Sequence, residues 1–108
     1  LNDTFTAQAI RNILPLTAAA NTWGDEIYFS IPMTLELENG QEVVEMGDLG
    51  YWPPGRAFCI FFGTTPASQG DEIRPASAVT VVGKVQGEVT TLKQVSAGEQ
   101  VSIEAATE

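Results

Sequence analysis

The segment 47–66, GDLGYWPPGRAFCIFFGTTP, constrains the fold of this chain more than any other stretch. Two glycine turns and a Tyr-Trp-Pro-Pro-Gly corner lead into residues 57–62, which are apolar at every position. Proline fixes φ and aromatic rings bury a large area, so such a corner is rigid. A strand that is apolar on both faces is expected to be buried on both. The segment therefore predicts a small β-barrel with an aromatic-walled cleft.

The first residues predict a short helix. Asp3 or Thr4 is a suitable N-cap, and an apolar stripe runs through Phe5, Ala9, Ile10 and Ile13. Pro15 ends the helix, because the residue before a proline is pushed out of the helical region. Residues 16–22 are predicted to form a loop.

The rest of the chain predicts about six strands and a second short helix. Apolar and polar residues alternate over 27–31 and 33–38, and Asn39-Gly40 predicts a type I′ hairpin with 41–46 as the returning strand. Further strands are expected over 57–62 and over 77–85, where Gly83 marks a bulge or a close approach of the backbone. Residues 64–75 are predicted as a loop and 88–95 as helical turns. A last strand follows Gly98, with Val101, Ile103 and Ala105 facing inward. The predicted class is mainly β, with a barrel architecture.

Composition narrows the range of partners. The 108 residues predict a single domain, 1–108, and the 44% hydrophobic content is typical of a soluble globular protein. The net charge of −9 disfavours nucleic acid and anionic membranes as partners. The single cysteine, Cys59, lies in the apolar run of a chain without histidine, which predicts a buried, inert thiol. The absence of a disulfide framework and of a secretion signal favours a cytoplasmic location.

The aromatic residues and one arginine are the best ligand-binding candidates. They are expected to line a groove for an extended peptide or a small apolar molecule. An equally weighted alternative makes the two tryptophans core plugs at the barrel ends. The candidate set is Trp23, Tyr28, Tyr51, Trp52, Arg56, Phe61 and Phe62.

The acidic residues are weaker candidates for a functional site than the aromatic residues. Asp25 and Glu26 are adjacent and point to opposite faces of a strand, which favours a turn over a paired-carboxylate acid–base site. Glu42, Glu45 and Asp48 form an acidic run without the loop pattern of a calcium site. The sequence therefore predicts no metal, no cofactor and no catalytic residue.

Four segments carry a family resemblance. WGDEIYFSIP (23–32), GDLGYWPPG (47–55), FFGTTP (61–66) and PASAVTVVGKV (75–85) resemble the small cyclophilin-like proteins of archaea and bacteria. The resemblance implies a closed β-barrel with one or two short helices capping its ends. The role of that family is largely unassigned.

This chain differs from the eukaryotic-type cyclophilins at several positions that match their catalytic residues. Their catalytic arginine would fall near Phe29 or Ser30, their glutamine matches Glu45, and this chain has no histidine. The resemblance therefore implies a binding module for a peptide or small ligand without efficient prolyl isomerase activity. The alternatives are a divergent prolyl isomerase or other enzyme using Asp25, Glu26 or Arg56, and a structural subunit of a larger assembly.

The resemblance also raises a question about the start of the barrel. Family members carry a first strand or hairpin before the point that matches Leu1. The unpaired backbone groups at such a gap need a partner. We therefore expect a homo-oligomer, a strand donated by another polypeptide or by the C-terminal strand near Val101, or further N-terminal residues in the native protein.

Overall fold

The computed structural model describes residues 2–85 and 90–104, and these form two antiparallel sheets and one α-helix. A pair of strands, β1 and β7, makes the small sheet, and the large sheet has the order β2-β3-β5-β4-β6. Turns of 3₁₀ helix cover Pro53–Gly55 and Thr90–Gln94. The elements are α1 (Phe5–Arg11), β1 (Leu16–Ala19), β2 (Asn21–Thr22), β3 (Glu26–Ser30), β4 (Asp48–Trp52), β5 (Ala57–Phe61), β6 (Thr80–Lys84) and β7 (Gln100–Ile103).

The mainly β class is confirmed. Neither sheet closes on itself within these residues, so the closed barrel stays a prediction. Two other expectations concern residues outside the described ranges: the start of the second helix at 88–89 and the inward position of Ala105. No helix among the described residues is long and apolar enough to cross a membrane.

The large sheet buries both of its faces because its central strands are apolar on both. One face packs against α1 and contains Phe29 and Phe58, which are directly paired and stack with ring centroids 5.6 Å apart. The other face is covered by parts of 41–47 and 65–79, and its buried residues include Cys59, Phe61 and Val79. Successive residues of β5 therefore alternate between two cores.

The helix α1 begins where the sequence predicts. The hydroxyl of Thr4 accepts a hydrogen bond of 3.1 Å from the Ala7 N–H. The helix ends at Arg11, earlier than the predicted Ile13. The apolar stripe is wrong in one place, since Phe5 is 72% exposed. The face that meets the sheet is centred on Thr6, Ala7 and Ile10, and Phe5 points away from it.

The predicted hairpin at Asn39-Gly40 is wrong. Asn39 has the positive φ of such a turn, 49°, but its flanks pair elsewhere. The Leu35 N–H donates to the hydroxyl of Tyr51 at 3.1 Å, and the Glu38 N–H donates to that of Thr80 at 2.8 Å. On the far side, single bridges tie Gln41 to Val79 and Val44 to Ile73. These tertiary bonds keep the two flanks apart.

A hairpin forms instead at Gly24-Asp25, and the prediction of a loop over residues 16–22 is wrong. Residues 16–22 contain β1 and β2, and β2 turns into β3 through a two-residue loop. Gly24 has φ +61° at the first loop position, as in a type II′ turn. The Trp23 N–H donates to the Glu26 carbonyl at 3.0 Å, so these two residues lie side by side at the hairpin end.

The pairing of β4 with β6 contains the bulge that Gly83 predicts. Leu49 pairs with Gly83 while the next residue, Gly50, pairs with Val81, so one residue of β6 is left over. The bulge is thus confirmed by the register.

Candidate functional site

A cavity of about 270 Å³ opens on the second face of the large sheet, against the segment 75–79. Strands β3, β4 and β5, the Gly24 hairpin and that segment all contribute to its wall. The lining residues are Trp23, Glu26, Tyr28, Trp52, Cys59, Pro75, Ala76 and Val79. The cavity is therefore built from residues far apart in sequence.

Strand register brings the polar and aromatic side chains together. Glu26 and Tyr28 are two residues apart on β3 and so face the same side. Tyr28 pairs directly with Cys59 on β5. Trp23 lies beside Glu26 at the end of the hairpin, where cross-strand side chains are neighbours. A single slip of register would send these side chains to the other face.

Trp52 is held by two contacts at the end of β4. Its indole N–H donates to the hydroxyl of Ser77 at 2.7 Å. A Cβ on Gly55 would lie 2.7 Å from Cζ3 of Trp52, so the indole lies directly against this glycine of the Pro-Pro-Gly turn. The turn that stands out in the sequence thus positions one wall of the cavity.

Glu26 is the carboxyl group of this cavity. The residue is only 6% exposed, and burial raises its pKa from 4.5 to about 7, while a hydrogen bond from Cys59 acts in the opposite direction. Burial, and then the charge of Glu26, raise the pKa of the Cys59 thiol well above its usual value. Within the described residues, no lysine or arginine forms an ion pair with Glu26. A carboxyl group near half ionisation at neutral pH is typical of functional sites.

The other acidic residues singled out by the sequence have different neighbours. An oxygen of Asp25 lies 3.6 Å from the ammonium of Lys93, outside the cavity. Glu45 and Asp48 share Lys84, at 3.5 Å and 3.6 Å. Each of these three carboxylates therefore has a cationic neighbour within the chain.

The structure separates the predicted ligand-binding residues into three groups. Trp23, Tyr28 and Trp52 line the cavity together. The side chains of Tyr51, Phe61 and Phe62 are buried, each at most 3% exposed. Arg56 is exposed and adopts a left-handed conformation, with φ 48°, after the Pro-Pro-Gly turn.

Sequence reasoning missed most of the remaining lining. The sequence favours a turn for Asp25 and Glu26 over an acid–base pair, although the spacing of Glu26 from Tyr28 already puts both on one face. No local signal joins Cys59, Pro75, Ala76 or Val79 to them, since only strand pairing and the path of the 75–79 segment do so.

A larger concavity of about 770 Å³ lies elsewhere, between residues 41–45 and β6. Its charged residues are Glu45, Asp48 and Lys84, which are paired with one another. It contains no aromatic side chain and no buried group that lacks a counter-charge. We therefore favour the smaller cavity as the functional site.

Fold and cavity define a small, mainly β domain with a pocket on one sheet face. A family model described as Cyclophilin-like matches residues 1–104, and the chain belongs to this cyclophilin-like family. Among solved structures, it is similar to the solution structure of the hypothetical protein AF2241 from Archaeoglobus fulgidus, with 50% sequence identity and a TM-score of 0.77. The match covers 94% of this chain and 77% of that one. No curated protein matches the chain.

Proposed function

We propose that this chain is a binding module that holds a small organic ligand, or one projecting group of a peptide, in the cavity between Trp23 and Trp52. The observation that carries the proposal is the convergence of three aromatic side chains and one buried carboxyl group on a single cavity. Apolar walls with a few placed polar groups are typical of ligand sites. The volume of about 270 Å³ is near the lower end for such sites, which favours a small occupant.

We infer that the module does not accelerate prolyl isomerisation efficiently. Phe29, near the position of the cyclophilin arginine, is 2% exposed and packs in the core on the opposite face from the cavity. Ser30 is exposed, and its hydroxyl donates to the Gly55 carbonyl at 3.1 Å. Arg56, which follows the Pro-Pro-Gly turn, does not line the cavity. These positions leave the cavity without a guanidinium to stabilise a twisted prolyl amide.

An enzymatic role is the second candidate, and one observation favours it. A carboxyl group with a pKa of about 7 suits general acid–base catalysis at neutral pH, and Glu26 has this property inside a cavity. Of the three residues proposed for this role, Asp25 faces Lys93 and Arg56 is outside the cavity. Any such chemistry would therefore depend on Glu26.

A cavity-filling variant tests the binding role. Ala76 is exposed at the rim, so Ala76→Phe should fill the cavity and leave the sheet intact. Ala19→Phe, at an exposed position of β1, is a matched control. A thermal-shift screen of small molecules and short peptides would identify ligands of the wild type. Fluorescence would then localise them, because both tryptophans of the chain line the cavity.

We expect ligand-induced fluorescence changes in the wild type and in Ala19→Phe, and none in Ala76→Phe. A ligand that binds Ala76→Phe as tightly as the wild type would place the binding site elsewhere and refute the proposal.

A further inference from the structure

The walls of the cavity share one electrostatic character. Three aromatic rings, from Trp23, Tyr28 and Trp52, line the cavity, and an aromatic ring attracts a cation to its face. Glu26 adds a carboxyl group, and no lysine or arginine is among the lining residues. The carboxyl group of Glu26 and the three aromatic rings are therefore features of the wall that attract positive charge in an occupant.

The hydrogen-bond donors next to this wall are partly occupied. The indole N–H of Trp52 donates to Ser77, and the thiol of Cys59, which also interacts with Glu26, donates to the Ala57 carbonyl at 3.8 Å. An anionic ligand would face the Glu26 carboxylate and lack a cationic partner. Long-range electrostatics act in the same direction, because a net charge of −9 attracts cations and repels anions.

The remaining walls restrict what the positive group can carry. Pro75, Ala76 and Val79 offer apolar side-chain surface and no side-chain acceptor. A primary ammonium group needs three acceptors, whereas an alkylated ammonium group presents apolar substituents that pack on such walls and on ring faces.

We propose that the cavity binds a small organic ammonium ion with apolar substituents on its nitrogen, surrounded by the rings of Trp23, Tyr28 and Trp52 and balanced by the charge of Glu26. This proposal rests on the proposed binding role of the cavity and specifies its ligand class. Burying the cation beside Glu26 gives that carboxylate the counter-charge that the described part of the chain does not supply.

The ionisation of Glu26 makes the binding dependent on pH. The titratable groups packed around it are the Cys59 thiol from β5 and the Tyr28 hydroxyl from its own strand, while β4 and the segment 75–79 add none to the lining. The adjacent Asp25 is paired with Lys93. Because the pKa of Glu26 is raised to about 7, the carboxylate that favours a cation forms as pH rises through neutrality. Affinity for the cation should rise over the same range.

Three probes of one shape and different charge test the proposal on the wild-type protein. Choline is the cation, 3,3-dimethyl-1-butanol is its neutral carbon analogue, and 3,3-dimethylbutyrate is an anion of similar size. Titrations followed by tryptophan fluorescence and calorimetry near pH 8 should show choline binding at least about tenfold more tightly than the alcohol, with no binding of the anion. Choline affinity should fall at least about tenfold between about pH 8.5 and about pH 5.5, and the affinity for the alcohol should not change.

Two variants assign the effect to one carboxyl group. Glu26→Gln should weaken choline binding at least about tenfold and leave the alcohol within about twofold. Glu36→Gln removes the same charge at an exposed position and should leave both probes within about twofold. The comparison of probes on the wild type stands even if one variant folds poorly.

The outcomes separate this proposal from the one it rests on. If the alcohol or the anion binds as tightly as choline, the cation proposal is refuted and the binding module stands. If no probe binds, the cation proposal is also refuted, and the binding role is decided by the Ala76→Phe comparison. Choline affinity that is independent of pH would refute the role assigned to Glu26.

Discussion

Replacing Glu26 with glutamine should increase the stability of the protein at neutral and alkaline pH. The carboxyl group is 6% exposed, and burial raises its pKa from 4.5 to about 7. The folded protein therefore binds this proton more tightly than the unfolded chain does. The stability that this tighter proton binding gives the folded protein is fully present below about pH 4.5 and is lost as pH rises through about 7.

The size of the effect follows from the two pKa values. The difference between 4.5 and about 7, at ~1.4 kcal/mol for each pH unit, corresponds to about 3 kcal/mol in the free energy of unfolding. Glutamine is neutral throughout and nearly the same size. The stability of Glu26→Gln relative to the wild type should therefore rise by about 2–3 kcal/mol between about pH 5 and about pH 8.5.

Urea denaturation followed by far-ultraviolet circular dichroism at several pH values measures this difference. Glu36→Gln is the control, since it removes one negative charge from an exposed site and should follow the pH dependence of the wild type. A difference between Glu26→Gln and the wild type that stays constant across this pH range would show that the carboxyl group has an ordinary pKa. The reasoning about its burial would then be wrong.

Substitutions at two positions and one assay of the wild type test the core, the helix and the activity. Tyr51→Phe should lower the free energy of unfolding by about 1–3 kcal/mol, because the buried hydroxyl donates to the Met33 carbonyl and accepts from the Leu35 N–H. Thermal unfolding measures this loss, and an unchanged melting temperature would contradict the prediction. Thr4→Ala should lower the free energy of unfolding by about 1 kcal/mol, because the Ala7 N–H loses its cap, whereas Thr4→Ser should keep most of this stability. Equal melting temperatures for the two variants would argue against the cap. The wild-type rate in a protease-coupled prolyl isomerisation assay should be near background, and a rate like that of an ordinary cyclophilin would refute the negative assignment.

Structural features that depend only on residues close together in the sequence can be predicted from the sequence alone. The cap at Thr4 needs only a hydroxyl before the helix, and a glycine inside a strand, such as Gly83, favours a bulge in the pairing. The alternation over Ile27–Phe29 and the apolar run of β5 predict strands because one face or both must be buried.

Hydrogen bonds to residues distant in the sequence determine which of the two predicted turn sites forms a hairpin. Asn39-Gly40 has the stronger local signal for a hairpin, yet the flanking Leu35 and Glu38 amides donate to the side chains of Tyr51 and Thr80. Gly24-Asp25 forms the hairpin because residues of the Phe61–Pro66 motif hold it: the Asp25 N–H donates to the Thr64 carbonyl at 2.9 Å. A window of sequence does not contain these partners.

The aromatic and acidic residues themselves are set by the sequence, as is the strand period that puts Glu26 and Tyr28 on one face. Which aromatic side chains share a cavity was decided by the tertiary structure, because the pairing of β3 with β5 and the path of residues 75–79 join segments that are distant along the chain. The raised pKa of Glu26 has the same origin, since it depends on how much of the carboxyl group neighbouring segments remove from water. A local pattern identifies the carboxyl group, and only the packed fold gives it an unusual charge state.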